Sequence, residues 1–161
     1  MPIVLRHSPR LELNVAEYHG GVTLAELKAL AAFQARNPEN LRHDTMSLVL
    51  EDADFSSVDL AALDALFSRY RTMFAPLDFE IMRRSAWVCL NPAARAYVDY
   101  WVDGRDMRSE MSSVVRQFET FAEAADWLLL AADDAPLLET REGFEDLARF
   151  DLPIGVVRTA L

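Results

Sequence analysis

At 161 residues and a formal net charge of −10, the chain is sized for one domain that buries roughly two thirds of its unfolded surface without covalent staples. Its 52% hydrophobic and 10% aromatic content excludes wholesale disorder. The acidic balance argues against nonspecific nucleic-acid or anionic-membrane binding, and a single cysteine, Cys89, excludes an intramolecular disulfide.

No run approaches the ~18 apolar residues of a membrane helix, and the opening MPIVLRHSPRLELN has no sustained apolar stretch. The expectation is a soluble, cytoplasmic protein without membrane insertion. Ten acids against Arg141 and Arg149 between Glu119 and Asp151 make the C-terminal third a solvated face, with a basic partner as the alternative.

In chain order, residues 3–5 (IVL) and 11–18 (LELNVAEY) open the domain. Leu11, Leu13 and Val15 recur every second residue, as in a half-buried strand. Pro9-Arg10 marks a turn, so an N-terminal hairpin is expected, and Gly20-Gly21 ends it. Thr23 and Glu26 form a capping box for a helix with Leu24, Leu27, Leu30 and Ala31 on its apolar face, stopped at Asn37-Pro38. The run MSLVL (46–50) predicts a strand covered on both faces.

After the loop EDADFSS, Ser56 or Ser57 is expected to cap a helix with Leu60, Leu63, Leu66, Phe67 and Tyr70 facing the core. Pro76 leads to a strand ending at Leu90. Asn91 caps the next helix with Pro92 at its first position, and Gly104 is the expected stop. Val114, Val115 and Phe118 predict a further strand. Thr120 and Glu123 form a second capping box for a helix with Phe121, Ala124, Ala125, Leu128 and Leu129 inward. In the tail, 140–150 predicts a short helix with Phe144 and Leu147 inward, and Ile154–Val157 a strand or docked extension.

The order β-β-α-β-α-β-α-β-α plus a tail predicts an α/β domain over residues 1–132, with a C-terminal extension (133–161) packing on it. Helical crossovers imply a mixed, mostly parallel sheet of about five strands with four main helices, the hairpin adding an antiparallel edge. One face is expected to carry most of the helices.

Catalytic and cofactor patterns are absent. With five glycines, neither GxGxxG nor GxxxxGK[ST] occurs, nor do HExxH or paired CxxC. Asp52 and Asp54 lack the glycine and distal glutamate of a calcium loop, and read as solvated acids beside a helix N-terminus. His7, His19 and His43 have no partners at ligand spacing. Cys89, mid-strand among Trp87, Val88 and Leu90, has the environment of an inert thiol. Arg83, Arg84, Arg95, Arg105 and Arg108 either pair with the acidic C-terminal segment or bind a phosphorylated ligand. No catalytic residue, cofactor or metal is assigned.

Several phrases carry a resemblance: R-x-A-W-V at Arg84–Val88, a small-residue helix containing Ala94-Arg95, and V-V-R-Q-F followed by F-A-E-A-A-D-W-L. Together with the element order they resemble the SpoIIAA-like branch of the STAS domains, also described as STAS/SEC14-like, over roughly residues 11–130. The resemblance implies a non-enzymatic binding or regulatory module acting by protein–protein interaction in bacterial signalling. Antagonists of that class carry a phosphoacceptor serine in an Asp-Ser-Ser-Gly-Leu phrase. Here Val58-Asp59-Leu60-Ala61-Ala62-Leu63 stands in its place, with Asp59 and Leu63 matching and both serines replaced.

A module of this kind would act through its strand-to-helix loops, so Asp52, Asp54, Ser56, Ser57, Asp59 and Asn91 are the candidate partner-binding residues. The SEC14-like half of the resemblance implies an alternative: a small apolar ligand or lipid in a pocket lined by Trp87, Tyr97, Trp101 and Trp127. Tyr97, Tyr100 and Trp101 on one short helix predict an exposed aromatic patch and a homodimer, unless the tail from Leu137 to Leu161 covers them.

Overall fold

A computed structural model describes residues 2–74, 83–106 and 113–151. Its centre is a sheet whose strands, among the described residues, are β1 (Ile3–Ser8), β2 (Leu13–Tyr18), β3 (Asp44–Val49), β4 (Arg83–Cys89), β5 (Ser113–Phe118) and β6 (Glu145–Phe150). They lie in the order β5-β4-β3-β2-β1-β6. From β2 to β5 all neighbours are parallel, as apolar strands joined by helical crossovers require. The hairpin pairs β1 antiparallel to β2, and β6 pairs antiparallel to the other side of β1. The sheet is therefore mixed and mostly parallel, with six strands in place of about five.

The helices are α1 (Leu24–Arg36), α2 (Leu60–Phe74), α3 (Arg95–Asp106), α4 (Phe121–Trp127) and α5 (Pro136–Thr140). Two apolar clusters show how they are divided. Ile3, Leu5, Ala16, Tyr18, Val49 and Trp87 of the sheet pack with α1, α2 and α3. Leu13, Val15, Met46, Leu48, Ala86 and Val88 point the other way, against α4 and Leu138 of α5. This alternation is the two-residue period of a strand read on both faces. The three longer helices share one face, as expected. Because β5 and β6 lie at opposite edges, the chain carrying α4 and α5 must cross the second face to reach β1.

That crossing corrects several expectations. Strand β2 is buried along its whole length, not half-buried, since both faces are covered. Strand β1 is not an edge, because β6 lies outside it. Residues 145–150 form that strand and not the end of a helix. Arg141 and Gly143 take left-handed backbone angles (φ 57° and 77°), which end α5 and turn the chain. Leu147 is thus exposed and Phe144 only half-buried, while Phe150 packs edge-on against Phe33 at 5.9 Å. The expected element at 154–157 lies outside the described residues.

The capping boxes hold. The Glu26 carboxylate accepts from the Thr23 amide at 2.7 Å, and Thr120 and Glu123 exchange the equivalent bonds. Asn91 accepts from the Ala93 amide at 2.9 Å, with Pro92 opening the short 3-10 turn that leads into α3. Gly104 lies inside α3 and does not stop it. Helix α2 is capped by Asp59, whose carboxylate accepts from Ala61 at 3.1 Å, and not by Ser56 or Ser57. Of its predicted apolar stripe, Leu63, Leu66, Phe67 and Tyr70 are buried, but Leu60, in the first turn, is 41% exposed. Leu129 is 69% exposed, because α4 ends at Trp127 and Leu129 takes a left-handed φ of 58°.

The C-terminal segment is fastened to the sheet by charge. Glu17 on β2 is only 3% exposed and lies 2.8 Å from Arg141 Nε and 3.3 Å from Arg6 Nε. His19 Nε2 is 3.3 Å from its second oxygen, and Arg6 also reaches Asp146 of β6 at 2.5 Å. A carboxylate this deep is tolerable only with cations around it.

Candidate functional site

The three loops at the carboxyl ends of β2, β3 and β4 are stitched together. The Asp54 amide donates to Gly20 O at 2.7 Å, and the Val22 amide to Asp54 O at 2.8 Å. Ser57 Oγ donates to Val22 O at 3.2 Å, and Asn91 Nδ2 to Ala53 O at 2.7 Å. The Asp54 carboxylate accepts from the Ser56 amide at 2.8 Å. That amide bond, aided by the Ser56 side chain, lowers the Asp54 pKa. Of the candidate residues, Asp54, Ser56, Ser57 and Asn91 thus share one hydrogen-bonded rim, with exposed Asp52 and Asp59 beside it. Their polar atoms are largely spent on holding the loops, which makes the rim a rigid acidic surface.

A second site lies under the helices. On the face covered by α1, α2 and α3 the middle of the sheet carries short side chains: Ala16 is in lateral register with Ser47, and Thr45 with Ser85, while Trp87 stands on the other side of Ser47 as a wall. The opposite face carries Val15, Met46, Leu48 and Val88 at the neighbouring positions. Helices cannot close onto short side chains as tightly as onto long ones, so space remains where no helix side chain fills it. The result is a cavity of about 60 Å³ over Ala16, Thr45, Ser47 and Ser85, bounded by Gln34, Asn40, Tyr70, Arg83 and Trp101. A neighbouring apolar compartment of about 40 Å³, lined by Leu27, Phe55, Leu63, Leu66, Tyr97 and Val98, shares the walls Tyr18, Leu30, Tyr70, Trp87 and Trp101.

These walls are ordered by ring packing. Tyr18 and Trp87 stack at 5.7 Å and 14°. Trp101 meets Phe67 at 4.5 Å and stands perpendicular to Tyr70 at 5.8 Å. Tyr70 Oη donates to Gln34 Oε1 at 2.7 Å, tying α2 to α1 above the cavity. Trp87 is 94% buried (6% exposed), and its indole N–H has no acceptor among the described residues. A polar hydrogen left so is costly.

Of the aromatics expected around a pocket, Trp87, Tyr97 and Trp101 are there. Trp127 is not: it lies on the opposite face, with the Arg84 and Arg116 guanidiniums 5.5 and 4.3 Å from its ring. Tyr97, Tyr100 and Trp101 are half-buried against the core, so they form no exposed patch. Of the tail, α5 packs on the far face. The neutral polar floor was not among the candidate residues. Its signal is the alternation in β3, where Thr45 and Ser47 interleave with Met46 and Leu48.

Other groups stay structural. Burial raises the Cys89 pKa, and its thiol donates to Asn91 O at 3.1 Å. The His7 and His43 rings lie 4.8 Å apart, with His7 Nδ1 2.9 Å from Asn14 Oδ1. Arg95 pairs with Glu119 and Arg10 with Asp134. Among the described residues, no three acids, histidines or cysteines are grouped to hold a metal, and no helix is long and apolar enough to cross a membrane.

Fold and cavity together describe a helix-covered α/β sheet with a small, partly open recess beneath α1, α2 and α3. Comparison with models of known families, with curated proteins and with solved structures found no match for this chain.

Proposed function

We propose that this protein is a non-enzymatic, cytoplasmic α/β module that binds a small molecule between its sheet and the helices α1, α2 and α3. The observation carrying this reading is the pair of adjoining compartments with a shared aromatic wall. A few convergent polar groups in an otherwise apolar recess are the usual make-up of a ligand site. About 10–15 Å³ of such volume accommodates one water, so the two compartments suit a ligand on the order of ten heavy atoms, well short of a lipid or a nucleotide. The element order from β2 to α4 supports a kinship with SpoIIAA-like STAS domains, in their SEC14-like sense.

Substitution of a floor residue tests the reading. Ser85→Leu fills the cavity and abolishes the thermal stabilisation that small ligands give the wild type, while its own stability stays within about 1 kcal/mol, because occupying real space avoids the overpacking cost. Equal responses in both proteins sink the proposal.

A second reading is a regulatory module that docks a partner protein, or a second copy of itself, on the rim around Asp52–Asp59 and Asn91. The rigidity and exposed carboxylates of that rim favour it. Retention of a partner by wild type and Ser85→Leu alike, with no small-molecule response, selects this second reading.

A further inference from the structure

The floor of the recess holds two hydroxyls that the protein itself does not use. Ser47 and Ser85 are each 6% exposed, and no hydrogen bond joins either side chain to another of the described residues. Nor is either oxygen among the buried polar atoms closed off from any outside partner, as the Trp87 indole nitrogen is. Both therefore open onto the recess that they line. Register spaces them: Ser85 is level with Thr45, and Ser47 lies two residues further along β3. With strands about 4.8 Å apart and a step of about 6.6 Å, their backbones are roughly 8 Å from one another. Beside them stand two carboxamides, Asn40 and Gln34, the second with its oxygen already accepting from Tyr70 Oη. The adjoining compartment offers only apolar and aromatic side chains, Leu27, Leu63 and Trp101 among them.

We propose that the ligand is an uncharged molecule with two neighbouring hydroxyls on a ring-sized apolar body. The hydroxyls meet Ser47 and Ser85, and the body fills the apolar compartment against Leu63 and Trp101. The inference rests on the small-molecule reading above. A hydroxyl both donates and accepts, as serine does, so each ligand oxygen can pair with a serine in either sense and still turn toward a carboxamide. Oxygens on adjacent carbons lie about 3 Å apart, and with a hydrogen bond of about 2.8 Å at each end they bridge a span that one oxygen does not. Arg83 also lines the polar end but already has interactions of its own, so it assigns no charge to the ligand. A site with buried hydroxyls to satisfy discriminates against an analogue that lacks the matching group.

Three probes on one skeleton separate the possibilities: 1-phenyl-1,2-ethanediol, 1-phenylethanol and mandelate, titrated calorimetrically into the full chain at neutral pH. The diol is expected to bind at least about fivefold more tightly than 1-phenylethanol, the equivalent of one added hydrogen bond, and more tightly than mandelate. Ser47→Ala and Ser85→Ala each narrow the lead of the diol over 1-phenylethanol. Their melting temperatures without ligand match the wild type, since neither hydroxyl has a partner in the protein to lose. Lowered melting temperatures with the diol's lead intact give the hydroxyls a structural role and overturn the proposal. If a variant fails to fold, the wild-type ranking alone decides. Binding of 1-phenylethanol or mandelate as tight as that of the diol overturns the diol assignment and leaves the small-molecule reading standing. Binding of none of the three overturns both.

Discussion

His43 shows how a single side chain makes the stability of this fold depend on pH. Burial, and after it the neighbouring His7, lowers the His43 pKa below the ordinary imidazole value near 6.5. The unfolded chain therefore takes up a proton at a higher pH than the folded one. Stability conferred by neutral His43 is complete above about 6.5 and is lost as the pH falls from there through the lowered folded value. The urea midpoint is expected to be higher at pH 7.5 than at pH 5, with a smaller difference in His43→Asn. An undiminished difference in that variant assigns the dependence to other groups. The sequence offered His43 no partner at ligand spacing; its meeting with His7 depends on a strand register that spacing along the chain does not reveal.

At the scale of elements, the parallel run and its crossovers were legible because caps and periods agreed in Thr23–Glu26, Asn91-Pro92 and Thr120–Glu123. The segment 140–150 was misread for a definite reason. Phe144 and Leu147 are three apart, as in a helix, but Ala148 and Phe150 are two apart, and in β6 it is these that turn inward. The open side of β1 offered backbone partners that a short acidic helix could not match. Glu17 joins this strand and α5 to the sheet through Arg6 and Arg141. Glu17→Gln leaves two arginines without their shared carboxylate and is expected to cost about 3 kcal/mol, read from urea unfolding monitored by circular dichroism. A loss under about 0.5 kcal/mol would mean that backbone pairing alone holds the segment.

Over the whole molecule, the two faces of the sheet do different work. One is closed by α4 and α5 on large apolar side chains; the other leaves room above Thr45, Ser47 and Ser85. Trp87, Tyr97 and Trp101 were named as pocket aromatics through the SEC14-like half of the resemblance, and they line the recess. Trp127 could not be separated from them, since its face depends on where the chain crosses from β5 toward β6. That accident of topology supplies a control within the protein. In ¹H–¹⁵N spectra of the tryptophan indoles, titration with ring-sized small molecules is expected to shift Trp87 and Trp101 and leave Trp127 unmoved. Shifts confined to Trp127, or no saturable shift at Trp87 and Trp101 across such a set, would contradict the claim that this protein binds its ligand beneath α1, α2 and α3.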